Sequence, residues 1–144
     1  WSIAGFSSEE PAEANWGPPI QGRAAAAIDG DLSTFWHSAW DAAQPNYPHY
    51  FIVDMKKTMR LMAVESFRRQ NNGNGQTEYK IYTSNDGVNF IDQGTFAFNS
   101  KINNGQMATM TNLPEARYVK YEATKGPDHY AFLAEFYVYG EELE

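Results

Sequence analysis

Runs of alternating side chains, each closed by a cluster of turn-forming residues, limit this chain more than any other feature. Glu78-Tyr-Lys-Ile-Tyr-Thr-Ser84 puts Tyr79, Ile81 and Thr83 on one face, and Asn85-Asp86-Gly87 follows directly. Side chains of an extended chain point alternately to opposite faces, and Asn, Asp and Gly tolerate positive φ. The pair therefore reads as a half-buried strand and a tight hairpin turn. Residues 90–98 return as the partner strand, and Asn104-Gly105 marks a further turn ahead of a strand over 107–113. Residues 117–124 alternate again, with Val119 and Tyr121 together. Residues 132–139 close the chain with Phe132, Ala134, Phe136 and Val138 on one face. Residues 49–55 are apolar on both phases, as in a central strand, and 61–67 follow as a second strand. Counting one at the N-terminus, the pattern gives about eight strands and an all-β sandwich or jelly roll. The one helical candidate is residues 23–28, a turn or two of Ala-rich chain ending at Gly30. Irregular chain is expected over 9–21, 29–48, 70–76 and 125–131, and loops of this kind carry function.

The 144 residues suit one domain, expected over 1–140 with 141–144 as a tail whose Leu143-Glu144 reads as a cloning remnant. Trp1 opens the chain inside an expected strand, as if cut from a longer protein that carries the signal peptide. No apolar run approaches the ~20 residues that span a bilayer. Eleven basic against 18 acidic residues leave a net charge of −7, which opposes binding to nucleic acid or to anionic membranes. There is no cysteine, so no disulfide staples the fold. Aromatics make up 15% of the chain, more than one core needs, so some rings are expected on the surface.

The segment Asp29-Gly-Asp-Leu-Ser-Thr34 packs two carboxylates and a hydroxyl into one bend. A turn of this kind aims several oxygens at one point, as calcium requires. It equally serves as a helix cap with an Asx turn. It is not an EF-hand loop, because the twelfth position counted from Asp29 is Trp40 and not Glu. Glu135 interrupts an apolar, aromatic strand, where a carboxylate either needs a charge partner or lies on a solvent face. Three loops are polar and aromatic at once: Trp36-His-Ser-Ala-Trp-Asp41, Arg68-Arg-Gln-Asn-Asn-Gly-Asn-Gly75 and His129-Tyr-Ala-Phe132. A pyranose presents hydroxyls at fixed angles and one C–H face, which calls for planar hydrogen-bonding groups and a ring.

Plainer roles stand beside these. Trp36 suits the core, Trp40 suits core or surface equally, and His37 can bond a neighbouring loop. Either Arg68 or Arg69 can pair with Glu65 or Glu78. Trp16 and Pro18-Pro19 suit packing of the early loop, and His49 suits the opening of a strand. No His-Glu-x-x-His, Gly-x-Ser-x-Gly or Cys–His arrangement is present. Counting carboxylates leaves a glycosidase pair open, but the best-placed acids are those of the acidic turn.

Ala27-Ile-Asp-Gly-Asp31 followed by Thr34-Phe-Trp-His37 resembles the signature of the discoidin, or coagulation factor 5/8 type C, domain family. The likeness extends to its sugar-binding branch, carbohydrate-binding module family 32. It continues through Pro48-His-Tyr-Phe-Ile-Val-Asp54, Phe67-Arg-Arg-Gln70, Asn74-Gly75, Tyr82-Thr-Ser-Asn-Asp-Gly87, Ala116-Arg-Tyr-Val119 and Leu133-Ala-Glu-Phe136, in family order. The resemblance implies an eight-stranded, galactose-binding-domain-like jelly roll around a structural calcium. The ion would be held by carbonyls of Ala26, Asp31 and Ala134, carboxylates of Asp29 and Glu135, and both oxygens of Thr34. His37, Arg69 and Asn74 match the sugar-contacting positions. Phe67-Arg68 stands where the family often has Leu-Pro, which leaves Arg68 as the alternative to Arg69. Tyr130, then Phe132, matches the stacking ring of a late loop, with Trp40 and Asp41 as further contacts. The implied function is a non-catalytic, calcium-stabilised module that targets a larger bacterial glycoside hydrolase of chitobiase type, or a surface protein, to galactose or N-acetyl-hexosamine. Such a parent would be secreted, periplasmic or on the cell surface. The competing reading is a discoidin-type protein- or cell-adhesion module without sugar binding.

Overall fold

The computed structural model describes residues 1–16 and 21–143, and the expected packing of Pro18-Pro19 and of the Trp16 side chain lies outside the described atoms. The fold is all-β, as expected. Nine strands are described: β1 Ser2–Phe6, β2 Trp36–His37, β3 His49–Phe67, β4 Glu78–Ser84, β5 Ile91–Ala97, β6 Gln106–Thr109, β7 Glu115–Lys125, β8 Phe132–Leu133 and β9 Glu135–Glu142. Helix among the described residues is 3-10 only, over Pro11–Trp16 and Ala24–Ile28, and none is long and apolar enough to cross a membrane. Seven strands join in one antiparallel sheet ordered β1-β3-β7-β4-β5, with β6 and β9 added on β3.

The two strands expected over 49–55 and 61–67 are a single 19-residue strand, β3. Its first half pairs with β1 and β7, and its second half with β6 and β9. The register with β7 shifts between Asp54 and Met59, where Lys56 takes φ 68°. This bulge bends the strand and hands it from one layer to the other. The Asp54 carboxylate fixes the corner by accepting two hydrogen bonds from Arg117 (2.9 and 3.0 Å) and one from the Lys56 amide (2.8 Å).

Period-2 alternation sends the rings inward. Phe51, Tyr121 and Tyr79 stack in sequence with centroids 5.3 and 4.8 Å apart. Phe136 of β9 meets Phe51 and Tyr121 edge-on at 5.6 and 5.5 Å, joining the two layers. Trp36 closes the same core and is fully buried.

The expected last strand breaks at Ala134. Phe132 and Leu133 leave it to form a two-stranded ribbon with Trp36 and His37, in the register Trp36↔Leu133 and His37↔Phe132. From Glu135 the chain rejoins β3, and β9 runs to Glu142, two residues past the expected end of the fold at 140. The β4–β5 connection turns at the expected residues but runs over 85–90 and is longer than a tight hairpin turn, with Gly87 at φ 76° and Asp86 accepting hydrogen bonds from Ser84 Oγ and from the Val88 and Asn89 amides. Glu78 of β4 pairs with Lys125 and Ser84 with Tyr118. The β3–β4 and β7–β8 loops therefore share one end of the sandwich and the β4–β5 turn lies at the other.

Candidate functional site

The acidic turn follows the Ala24–Ile28 helix, which stops at Gly30 with φ 78°. Asp29 Oδ1 accepts from the Asp31 amide at 3.0 Å, and the Thr34 hydroxyl lies against both the Asp29 carboxylate and the Asp31 carbonyl. The Asp31 amide also reaches Glu135 Oε1 at 3.1 Å, across 104 residues of sequence. Glu135 is fully buried, which removes the solvent-face reading. Its Oε2 has no hydrogen-bond partner among the described residues. Burial first, and the neighbouring Asp29 carboxylate second, push the Glu135 pKa up to about 8. The Asp31 carboxylate turns outward to Ser33, whose Oγ and amide lie at 2.6 and 2.8 Å and lower its pKa. Only the Asp31 carbonyl is thus left for an inward role. Among the described residues no three or more His, Cys, Asp or Glu side chains are grouped so that they could hold a metal ion between them. What the turn offers is two carboxylates, a hydroxyl and backbone carbonyls. An all-oxygen set of this kind fits a hard cation such as calcium and does not suit zinc.

The expected sugar-binding residues lie at the end shared by the β3–β4 and β7–β8 loops. His37 is buried in β2, and its Nδ1 sits 2.7 Å from the Ser38 carbonyl. A carbonyl only accepts, so Nδ1 carries the proton and Nε2 is left as an acceptor. Burial pushes the His37 pKa down, against the Ser38 hydrogen bond and the Glu13 carboxylate, whose Oε1 lies 3.8 Å from Nε2. Around His37 stand the rings of Tyr130 (centroids 5.0 Å apart), Phe132 (5.4 Å) and Trp40 (6.5 Å). The Arg69 guanidinium lies 4.1 Å from the Phe35 ring centroid and 5.6 Å from that of Phe132.

Arg68 and Arg69 follow β3 and point to opposite sides. Arg68 is committed to structure, donating to Asn103 Oδ1 at 2.9 Å and to the Ser100 carbonyl at 2.8 Å. The Arg69 guanidinium has no hydrogen-bond or ion-pair partner among the described residues, so it is the arginine with donors to spare. Neither pairs with the acids expected for them. Glu65 accepts from Tyr139 at 2.6 Å and Glu78 from Thr124 at 2.8 Å.

Asn74 is exposed beside this cluster, and Gly75 holds its loop down. A Cβ at Gly75 would collide with the Phe132 ring. Phe132 is 1% exposed, so the expectation that it offers a stacking face is corrected: it is the floor on which His37, Arg69 and Gly75 rest. Like Trp40, the half-buried Tyr130 is a ring left to meet a ligand. Its loop is tied down by Tyr47, whose hydroxyl donates to the Tyr130 carbonyl, and by His49 on the His129 carbonyl. Trp40 is half-buried and Asp41 exposed on the rim.

Two residues of the site escaped the sequence reading. Glu10 is buried and takes the Trp40 and Asp41 amides on Oε1 at 2.8 and 2.7 Å. Burial raises the Glu10 pKa, but these amide bonds outweigh it and the net shift is downward. Glu13, also buried, accepts from Trp40 Nε1 at 2.9 Å and faces His37. Both lie in the stretch set aside as an irregular loop, and the cluster of three acids over residues 9–13 was the available signal. A cavity of about 280 Å³, lined by Ser84, Asp86, Phe90 and Glu115 among others, lies at the β4–β5 end, and one of about 260 Å³ lies beside the acidic turn, lined by Arg23, Ala25, Ala26 and Asp29.

Residues 5–136 match the F5/8 type C domain. The chain is 35% identical to a sialidase of Micromonospora viridifaciens over 97% of its own length, and spans 21% of that protein. It superposes on the C-terminal domain of a chitobiase from Bacteroides fragilis with TM-score 0.87 and 27% identity, covering 100% of this chain and 95% of that one. It superposes on the family 32 carbohydrate-binding module of Clostridium perfringens NanJ, solved in complex with galactose, with TM-score 0.72 and 27% identity, covering 93% and 90%.

Proposed function

Because the chain belongs to the F5/8 type C domain family, as a non-catalytic module of the carbohydrate-binding kind, we propose that its ligand is a terminal galactose or N-acetyl-hexosamine bound at the His37 cluster. The observation that carries this is the convergence of one acceptor nitrogen, one uncommitted guanidinium and the half-buried Tyr130 ring over a buried phenyl floor. His37 Nε2 and Glu13 would accept from sugar hydroxyls, Arg69 and the Asn74 amide would donate, and Tyr130 would cover the C–H face. We further infer that calcium sits between Asp29, Thr34 and Glu135, with the Ala26, Asp31 and Ala134 carbonyls completing the set. Bound there, the ion supplies positive charge to the buried Glu135 carboxylate and to the exposed Asp29 carboxylate beside it, and clips the early turn to β9, closing a long loop without a disulfide. In this reading the module is appended to a larger secreted bacterial glycoside hydrolase and brings it to glycans.

A site with few contacts binds a monosaccharide weakly, on the order of 0.1 to 1 mM, or roughly −4 to −5.5 kcal/mol. A glycan array with the domain and its Arg69→Ala variant tests the proposal. The expected outcome is binding to galactose- or N-acetyl-hexosamine-terminated glycans, lost in the variant with an unchanged melting temperature. Removal of a charge-assisted hydrogen bond costs about 1.5–3 kcal/mol, enough to take such affinity below detection. Binding that survives both Arg69→Ala and His37→Ala would place the sugar elsewhere. A domain that ignores every glycan but adheres to a protein would favour the adhesion reading.

A further inference from the structure

The β3–β4 loop that carries Arg69 and Asn74 has hydrogen bonds of its own, from the Asn72 amide to the Arg69 carbonyl at 3.3 Å, from Gln70 Nε2 to the Arg68 carbonyl at 2.8 Å and from the Asn74 amide to Asn72 Oδ1 at 3.1 Å. It is gripped by the neighbouring β5–β6 loop, chiefly through one side chain. Asn103 Oδ1 accepts from Arg68 Nε at 2.9 Å and from the Asn71 amide at 2.9 Å. Its Nδ2 donates to Asn71 Oδ1 at 3.0 Å, and its backbone carbonyl takes Gln70 Nε2 at 3.3 Å. A guanidinium only donates, so Arg68 alone fixes which end of the Asn103 amide carries oxygen, and the bond to Asn71 follows. Two further bonds complete the grip: Arg68 to the Ser100 carbonyl at 2.8 Å and Lys101 Nζ to the Gly73 carbonyl at 2.8 Å. Gly73 allows this approach, since a Cβ there would lie 3.0 Å from the Lys101 stem. Asn71 sits at φ 64°, a left-handed conformation that asparagine tolerates and that turns the chain here.

We infer that Asn103 is a positioning residue for sugar recognition. Its hydrogen bonds among the described residues go to Arg68, Gln70 and Asn71 and to none of the proposed sugar contacts. It sets the path of the chain from Arg68 to Gly73, and so the place of the Arg69 guanidinium on one side and of Asn74 beyond. The inference rests on the sugar site proposed above. Arg68, read in the sequence as the rival of Arg69, has a role of its own, anchoring to Asn103 so that Arg69 faces the ligand. The β5–β6 loop thereby becomes part of the binding apparatus, although residues 99–105 carry no motif that marks them.

The test uses the whole domain with galactose and N-acetylgalactosamine as probes, and three variants. Asn103→Ala removes the oxygen and the donor, Asn103→Asp keeps the oxygen that takes Arg68 and the Asn71 amide, and Arg69→Ala is the control for the site. The expected result is a loss of affinity of about tenfold in Asn103→Ala, near-native affinity in Asn103→Asp, and calcium affinity unchanged in both. Amide hydrogen exchange should quicken over residues 69–75 in Asn103→Ala while β2 and β8 keep their protection. This readout needs no ligand, so it stands even if neither sugar binds. Unchanged exchange over 69–75 in Asn103→Ala overturns the proposal. So does native sugar affinity in that variant while Arg69→Ala abolishes binding. If Arg69→Ala leaves binding intact, the sugar site itself is misplaced, while exchange still decides whether Asn103 holds the loop.

Discussion

At the scale of single residues, the site depends on which side chains are free and which are spent. Arg68 and Arg69 are neighbours of the same type, yet one closes a loop and the other is left with unused donors. His37 carries the same logic in its protonation. It is useful as an acceptor only when neutral, and burial lowers its pKa below the ordinary histidine value near 6.5. The groups facing it are Glu13 and Glu10, which oppose that shift, and Arg69, which adds to it. Sugar affinity should therefore hold through neutral pH and fall in acid only below about 6.5, as protonation removes the Nε2 lone pair. Folding follows the same sign. A depressed histidine pKa favours the folded state above the unfolded value, and that advantage is lost as pH falls toward the folded one. Calorimetric titration with galactose across this range, in the native domain and in His37→Gln, checks it. Affinity that rises in acid would contradict the assigned tautomer.

At the scale of elements, alternation made β4 and β7 legible to within a residue or two, because each is long enough to show its period and buries one face. The ribbon of β2 and β8 was not legible, since two residues cannot display a period. Yet this ribbon sets His37 beside Phe132 and so creates the site. The division of 132–139 between β8 and β9 was hidden for a related reason: apolar side chains on both sides of Ala134 serve two different sheets. The acidic turn was readable from its composition, whereas the role of Glu10 and Glu13 depends on burial that local sequence does not encode. The continuity of β3 was hidden by polar Lys56, Lys57 and Thr58, which form the corner where the strand changes layers. That corner gives a stability prediction. The hydrogen bonds from Arg117 hold the Asp54 carboxyl well below the usual carboxylate range. A depressed carboxylate pKa stabilises the fold above the unfolded value near 3.9, and the contribution fades as pH falls through the folded value. Asp54→Asn should cost about 1.5–3 kcal/mol near neutral pH, with the gap to the native protein closing in strong acid. Thermal melts at the two pH values measure it, and a gap that stays constant with pH would contradict the assignment.

At the scale of the whole molecule, a chain with no cysteine joins its early turn to its last strand through Asp29, Asp31, Thr34 and Glu135. If calcium completes that junction, the ion stabilises the entire fold by mass action. Excess chelator should lower the melting temperature of the native domain and leave Glu135→Gln much less affected. Equal melting temperatures with and without chelator in the native domain would argue against a stabilising ion. The junction also lies close in sequence to both arms of the proposed sugar cluster, since His37 follows Thr34 by three residues and Tyr130 precedes Glu135 by five.

The site, the junction and the loops thus form one end of a sandwich, while the cavity lined by Ser84, Asp86, Phe90 and Glu115 lies at the other. Nuclear magnetic resonance titration of the labelled domain with galactose and N-acetylgalactosamine separates the two ends directly. The account predicts fast-exchange shifts confined to His37, Trp40, Arg69, Asn74 and Tyr130. Shifts that cluster instead at Ser84, Asp86, Phe90 and Glu115, with the His37 end silent, would contradict it.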